Sequence, residues 1–183
     1  MSALRLRPPV LTVAILAILV AAAAGLATDL GPWYRALRLP EWKPPDAAFG
    51  PIWTAIFTAC AIAAVRCWDA ADTVDARRRV VVLFAVNAIL NVMWSVLFFA
   101  LHRPDWAVWE VIPLWLSVLA LLLGLRQLDR LVVPLLLPYL LWVGVAAAMN
   151  AQIVQENAPW PQPPVAATPV AGTAQGVPLS RTP

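Results

Sequence analysis

The sequence predicts an all-α fold, an integral membrane bundle of five transmembrane helices. Hydrophobic residues make up 62% of the chain and charged residues only 13%, whereas soluble domains carry about 25% charged residues. The mean hydropathy is +0.76. Most charges are gathered between long apolar runs, which is typical of a chain that crosses lipid several times.

Five apolar runs have the length of a membrane-crossing helix. They lie at residues 10–27, 47–65, 80–101, 106–125 and 131–154. Each is close to the roughly 20 residues that a helix needs to cross the hydrocarbon core. Backbone polar groups in lipid must be satisfied within the segment, so helices are expected rather than open strands. The first run also resembles a secretory signal, but it is longer than a usual signal core, which favours a retained helix.

The connections between the runs differ in character. Residues 28–46 form a long loop rich in Trp and Pro, and residues 66–79 form a polar loop of mixed charge. Residues 102–105 and 126–130 are tight turns, which force antiparallel neighbours. We therefore predict a transmembrane domain over residues 1–157, followed by a disordered Pro-rich tail over residues 158–183.

Lysine and arginine residues divide unequally between the two sides of such a bundle. One side carries Arg5, Arg7, Arg66, Arg77, Arg78, Arg79, Arg126 and Arg130. The other side carries Arg35, Arg38, Lys43, Arg103 and Arg181. The positive-inside rule then predicts a cytoplasmic N-terminus and an external C-terminus. The same distribution explains the basic net charge of +3 without a nucleic-acid footprint.

Several kinds of chemistry find no support in the sequence. Its single histidine, His102, offers no partner for a metal site or a bis-His haem. Cys60 and Cys67 are about 10 Å apart along one helix, too far for a disulfide, and are predicted to be free thiols. No Gly-rich phosphate loop and no nucleophile triad are present. We expect no metal and no required cofactor.

Tryptophan is the outstanding residue, with ten in the chain. Those near the ends of the runs fit an aromatic belt at the membrane interface. Trp94 and Trp142 lie deep within their runs, where a belt does not account for them. Asn87 and Asn91 share a helical face with Trp94, and Asn150 shares one with Trp142. These amides either join helices to one another or form the polar points of an aromatic ligand pocket.

Glu110 is the only acid inside a predicted run. It lies near the start of that run, where it is expected to reach water and to gain from the helix N-terminal dipole. An acid within a membrane segment is also a candidate functional group. Both interpretations are open from the sequence.

Four short motifs, in order along the chain, resemble one family. They are residues 33–45 (WYRALRLPEWKPP), 49–53 (FGPIW), 91–99 (NVMWSVLFF) and 138–142 (PYLLW) with Asn150 beyond. Together they are similar to the translocator protein family, the TspO-like tryptophan-rich sensory proteins related to the peripheral benzodiazepine receptor. Animal members carry a Tyr–Arg pattern after the fifth helix, whereas residues 149–157 (MNAQIVQEN) have neither residue, so the resemblance is to the bacterial type.

The resemblance implies a five-helix bundle in a bacterial cell membrane, a homodimer, and binding of porphyrins such as protoporphyrin IX or haem and of other apolar molecules. It also implies that the loop over residues 28–46, the lid segment hereafter, acts as a lid over the ligand pocket. The ligand-binding positions that it implies are Tyr34, Pro44, Trp53, Phe57, Asn87, Asn91, Trp94, Trp142 and Ala146. Phe57 stands where many relatives have Tyr, and Asn87 where some have Gln. The resemblance favours a pocket role for the asparagines over a role in joining helices.

Three functions follow from the resemblance and the residues. The first is a protein that senses, sequesters or transports tetrapyrroles, with aromatic rings covering the macrocycle and Arg35, Arg38 and Lys43 either meeting the propionates or simply solvated. The second is an enzyme that degrades porphyrin with light and oxygen, with Trp53 and Trp142 as redox-active neighbours. The third is a lipid or scaffold protein with no specific ligand. Nothing resembles an acid–base catalytic site, which favours the binding function.

Overall fold

The computed structural model describes residues 12, 20, 22, 25, 26 and 28–161. Within these residues the regular structure is entirely helical. A short helix, α1 (Pro32–Ala36), lies in the lid segment and is followed by four long helices. These are α2 (Asp46–Ala70), α3 (Val74–Ser95, continued by a π-helical turn Val96–Ala100), α4 (Pro104–Leu125) and α5 (Val132–Glu156).

Four of the five predicted crossings are confirmed as helices that are long and apolar enough to span a membrane. They are α2, α3 with its π turn, α4 and α5. Most of the remaining predicted crossing, residues 10–27, lies outside the described residues. Its described members Thr12, Val20, Ala22, Gly25 and Leu26 are helical.

Two helices continue well beyond the apolar runs that predict them. The predicted polar loop 66–79 is mostly helical, because α2 extends to Ala70 and α3 begins at Val74. Thr73 caps α3, with its side chain accepting a hydrogen bond from the Ala76 N–H at 3.1 Å. Hydropathy marks only the part of a helix inside lipid, whereas capping and backbone hydrogen bonding decide where the helix ends.

The long helices form a ring in which α2 contacts α3 and α5, and α4 contacts α3 and α5. Short connections make successive helices antiparallel. Buried side chains fill the bundle in three clusters. One joins α2–α5 around Cys67 and Leu125, the next surrounds Tyr139, and the third connects the lid segment, through Tyr34 and Leu37, to the ends of α3 and α5. The two cysteines are free, as predicted.

An ion pair ties together the end of the bundle opposite the lid segment. The Arg66 guanidinium near the end of α2 lies 2.7 Å from the Asp129 carboxylate in the α4–α5 turn. Nearby, Arg77 lies over the ring of Trp68 at 5.2 Å and donates to the Ala71 carbonyl at 3.2 Å. Polar contacts thus link the helices at this end, and the cavity of the bundle lies toward the other end.

Candidate functional site

A cavity of about 740 Å³ lies between the long helices and under the lid segment. This volume is within the range of about 300–1,000 Å³ that is typical of small-molecule pockets. Most of its wall is apolar and much of it aromatic. The lining residues from the long helices include Phe49, Trp53, Phe57, Asn91, Trp94, Ser95, Phe98, Phe99, Val111, Leu114, Trp142, Val143, Ala146, Met149, Asn150 and Ile153.

The α2 side of the cavity is lined by two aromatic rings and two threonines. Trp53 and Phe57 are stacked with ring centroids 5.4 Å apart. Thr54 and Thr58 also line the cavity, but their hydroxyls donate to the carbonyls of Gly50 and Thr54, at 2.8 and 2.7 Å. Because these hydroxyl protons are used within the helix, this wall presents chiefly an apolar surface to a ligand.

Two tryptophans form the facing walls on α3 and α5. Trp94 stacks on Phe98 at 5.2 Å, and Trp142 meets Phe49 edge-on at 5.7 Å. The indole N–H groups of Trp94 and Trp142 are both buried and have no acceptor among the described residues. Buried donors are nearly always paired in proteins. Because a water-sized molecule cannot reach either nitrogen, these tryptophans present their rings rather than their N–H groups to the cavity.

The structure brings most of the predicted site residues to this one cavity. Those that line it are Tyr34, Trp53, Phe57, Asn91, Trp94, Trp142 and Ala146. Pro44 and Asn87 are not among its lining residues. Asn87 instead lies buried between helices, where its amide nitrogen donates to Ser117 Oγ at 2.8 Å.

The buried asparagines join helices, which was the other interpretation of their spacing. Asn91 donates to the Tyr139 hydroxyl at 3.1 Å, and that hydroxyl donates to Asn87 Oδ1 at 3.3 Å. In the amide orientation that satisfies both groups, Asn150 donates to the Pro104 carbonyl at 3.1 Å and accepts from the Val108 N–H at 3.0 Å. Asn91 and Asn150 therefore both line the cavity and connect the helices around it.

Tyr139 is a central residue that the sequence analysis did not assign to the site. It is 1% exposed, and its hydroxyl connects α5 to both asparagines of α3. Its ring also meets Trp53 edge-on at 6.2 Å. A tyrosine deep in an apolar run was the available signal, since a buried hydroxyl requires a partner.

The lid end of the cavity holds its charged groups. Lys43 Nζ and the Tyr34 hydroxyl both donate to Asp46 Oδ1, at 2.5 and 3.1 Å. Burial and the neighbouring Asp46 carboxylate raise the pKa of Tyr34, which keeps its hydroxyl protonated. Lys43 lines the cavity, whereas Arg35 and Arg38 are exposed and do not.

Glu110 differs from the sequence expectation. It was expected to reach water, but it is 7% exposed, and neither carboxylate oxygen has a hydrogen-bond partner within the described residues. The cause is the position of α4, which packs against both α3 and α5. Glu110 is not among the cavity-lining residues. No group of three or more His, Cys, Asp or Glu residues suited to a metal ion occurs in the described part of the chain.

Comparison with known proteins gives a consistent picture. The family model described as the TspO/MBR family matches residues 10–155. The tryptophan-rich protein TspO of Chlorobaculum tepidum is 32% identical over 125 residues, 68% of this chain and 79% of that protein. Protein CrtK of Rhodobacter capsulatus is 31% identical over 137 residues, 75% and 86% of the two chains. The tryptophan-rich protein TspO of Archaeoglobus fulgidus is 32% identical over 151 residues, 81% and 97%.

Proposed function

The chain belongs to the TspO/MBR family of membrane proteins, and from that premise we propose that it binds tetrapyrroles and uses this binding to sense, sequester or transport them. The ligands that the proposal names are protoporphyrin IX, haem and related apolar molecules. The protein itself supplies the binding surface, and no metal or resident cofactor is required for that role.

The observation that carries the proposal is one apolar cavity shared by Trp53, Trp94 and Trp142. A porphyrin is a flat π-system, and aromatic rings gain from offset stacking on it as well as from burial. Burying about 300 Å² at about 25 cal/mol per Å² contributes roughly 7 kcal/mol before the cost of association, so micromolar affinity requires ring stacking and polar contacts in addition to this burial.

The polar groups of the cavity complement the remaining parts of such a ligand. At the lid end, a propionate would share the Lys43 ammonium with Asp46. Lys43 is therefore the proposed propionate partner, in preference to the exposed Arg35 and Arg38.

The experiment that tests this function is a titration of the purified protein with protoporphyrin IX and, separately, with haem. Saturable quenching of tryptophan emission, together with a Soret band that stays stable in the dark and in light, is the expected result. A protein whose emission is not quenched by either compound would contradict the proposal and favour a lipid or scaffold role.

A light- and oxygen-dependent porphyrin-degrading enzyme is the second candidate function. The observation in its favour is that Trp53 and Trp142, the proposed redox-active residues, line the same cavity. Illumination of the porphyrin-loaded protein separates the two functions, because an enzyme would replace the Soret band with new product bands. Loss of those products in Trp142→Phe, with binding retained, would assign the chemistry to the indole.

The orientation proposed for the bundle is a cytoplasmic N-terminus and an external C-terminus in a bacterial cell membrane. A reporter fused at Asp72, in the α2–α3 connection, is expected to be cytoplasmic, and one fused after Trp160 is expected to be external. The physical reason is the excess of arginine at the end of the bundle that contains the α2–α3 and α4–α5 connections. The reverse pattern of reporter activity would show that this excess does not set the topology.

A homodimer, with the first and third predicted helices at its interface, completes the proposal. The proposal rests on a patch of small residues, Ala21 and Gly25, four positions apart on the first predicted helix, because small residues let membrane helices approach closely; in the single chain Gly25 also lines the cavity. Ala21, the second residue of this small patch, lies outside the described residues. The mass of the detergent-solubilised protein decides between monomer and dimer.

A further inference from the structure

The backbone of the lid segment is bonded to the end of α5 through the side chain of Asn157. Asn157 accepts a hydrogen bond from the Arg38 N–H at 2.8 Å and donates to the Arg38 carbonyl at 2.9 Å. Its amide nitrogen also donates to the carbonyl of Ile153, one turn back in α5, at 2.8 Å. A single amide thus holds both backbone groups of Arg38, in the way that a neighbouring β-strand would.

Arg38 lies at the point where the lid segment packs on the end of the bundle. The preceding residue, Leu37, is buried in the cluster that covers the lid end of the bundle. On either side of this point the chain carries Tyr34 and Lys43, both of which line the cavity. Holding the backbone at Arg38 therefore restrains the stretch of chain between these two side chains, which are themselves bonded to Asp46.

The other long-range contacts of the lid segment are of different kinds. Trp42 Nε1 donates to Gln152 Oε1 at 2.8 Å through an exposed side chain. Trp33 stacks on His102, with ring centroids 4.1 Å apart, beyond the end of α3. Asn157, in contrast, bonds directly to the backbone of the segment, at both the N–H and the carbonyl of Arg38. Loops that lack regular structure depend on such side-chain contacts to satisfy their backbone groups.

We infer that Asn157 is a positioning residue that holds the lid segment closed over the cavity and thereby sets the rate at which ligands exchange. The inference about the lid segment stands on the geometry alone. The part concerning ligand exchange rests on the proposed function. Loss of Asn157 leaves the Arg38 N–H and carbonyl to water, so the open form of the segment becomes more populated.

Trypsin provides a test of the lid segment that needs no ligand. The Arg38 side chain is exposed, but its backbone is held by Asn157, whereas the Lys43–Pro44 bond is a poor tryptic site. Cleavage after Arg38 is expected to be about tenfold faster in Asn157→Ala, because two hydrogen bonds that oppose opening are lost. Asn157→Asp keeps the acceptor and loses the donor, so an intermediate rate is expected.

Two controls test whether faster cleavage after Arg38 is caused by the loss of the Asn157 side chain. Gln155→Ala alters an exposed residue at the same end of α5 and is expected to leave the cleavage rate after Arg38 unchanged. The tryptic bonds after Arg78 and Arg79 in α3 report on the rest of the bundle and are expected to be cut at the same rate in every variant. Equal cleavage after Arg38 in wild type and Asn157→Ala would overturn the inference.

The effect of Asn157 on ligand exchange is tested with protoporphyrin IX, whose dissociation is measured by the recovery of tryptophan emission. Dissociation from Asn157→Ala is expected to be about tenfold faster than from the wild type, in step with the tryptic rate. Faster cleavage with unchanged dissociation would overturn the gating role. A wild-type protein that takes up no protoporphyrin would defeat the proposed function alone, because the tryptic comparison still decides whether Asn157 holds the lid segment.

Discussion

Replacing both Trp53 and Trp142 by alanine is expected to weaken protoporphyrin binding at least about 25-fold. Each indole supplies a stacking face to the same cavity, and each loss alone should cost roughly 1–3 kcal/mol, or about 5- to 150-fold. The dissociation constant of the purified variant, measured by Soret absorption rather than tryptophan emission, gives the result directly.

A matched control for this double variant is Trp109→Ala. Trp109 is 72% exposed on α4 and does not line the cavity, so its loss is expected to leave porphyrin affinity unchanged. Equal porphyrin binding by the wild type and by a folded Trp53→Ala, Trp142→Ala variant would contradict the assignment of the pocket. Loss of binding in Trp109→Ala as well would point to a general disturbance of the bundle.

A single conservative change separates the candidate functions further. Trp142→Phe keeps a ring that can stack, so most of the affinity is expected to remain. If the protein degrades porphyrin, the same change is expected to stop turnover while binding survives, because phenyl is much harder to oxidise than indole. A protein without a specific ligand would show altered stability at most.

The largest expected effect on stability is that of Tyr139→Phe, at about 2 kcal/mol. The change removes only a hydroxyl, but that hydroxyl accepts from Asn91 and donates to Asn87 where all three residues are buried. Leaving buried polar groups unpaired costs about 1–3 kcal/mol, while the wider choice of partners in a membrane bundle reduces the loss. The midpoint of reversible denaturation in detergent measures it.

The other tyrosine of the chain is the natural control. Tyr34→Phe removes a hydroxyl that donates to an exposed carboxylate, that of Asp46. Water can replace this partner, so the expected cost is below about 1 kcal/mol. If the two variants were equally stable, the Asn87–Tyr139–Asn91 network would not be a source of bundle stability.

The amino-acid sequence alone predicted the helices of the described bundle. A run such as 131–154 has no charge and the length of the hydrocarbon core, and lipid leaves such a chain few choices besides a helix. The same reasoning underestimated α2 and α3, since their ends at Ala70 and Val74 lie in polar sequence. Hydropathy contains no information on capping outside the lipid.

Helical spacing also predicted which polar groups share a face, but not what they contact. Asn87 and Asn91 lie one turn apart and face the bundle, as their spacing requires. That Tyr139 joins them, and that Asn87 turns to Ser117 rather than to the cavity, depends on how α3 is set against α4 and α5. The spacing of residues along one helix does not determine its register against a neighbouring helix.

For the candidate site, too, the sequence predicted some features and the tertiary structure decided others. Residue type and resemblance pointed to Trp53, Trp94 and Trp142, and the structure places all three on one cavity. Only the tertiary structure distinguished Lys43, which lines the cavity, from Arg38, whose backbone Asn157 holds. Short-range sequence determines local conformation and which face is apolar. Contacts between residues more than a hundred positions apart, such as Arg38 and Asn157, form only when the packed helices bring distant parts of the chain together.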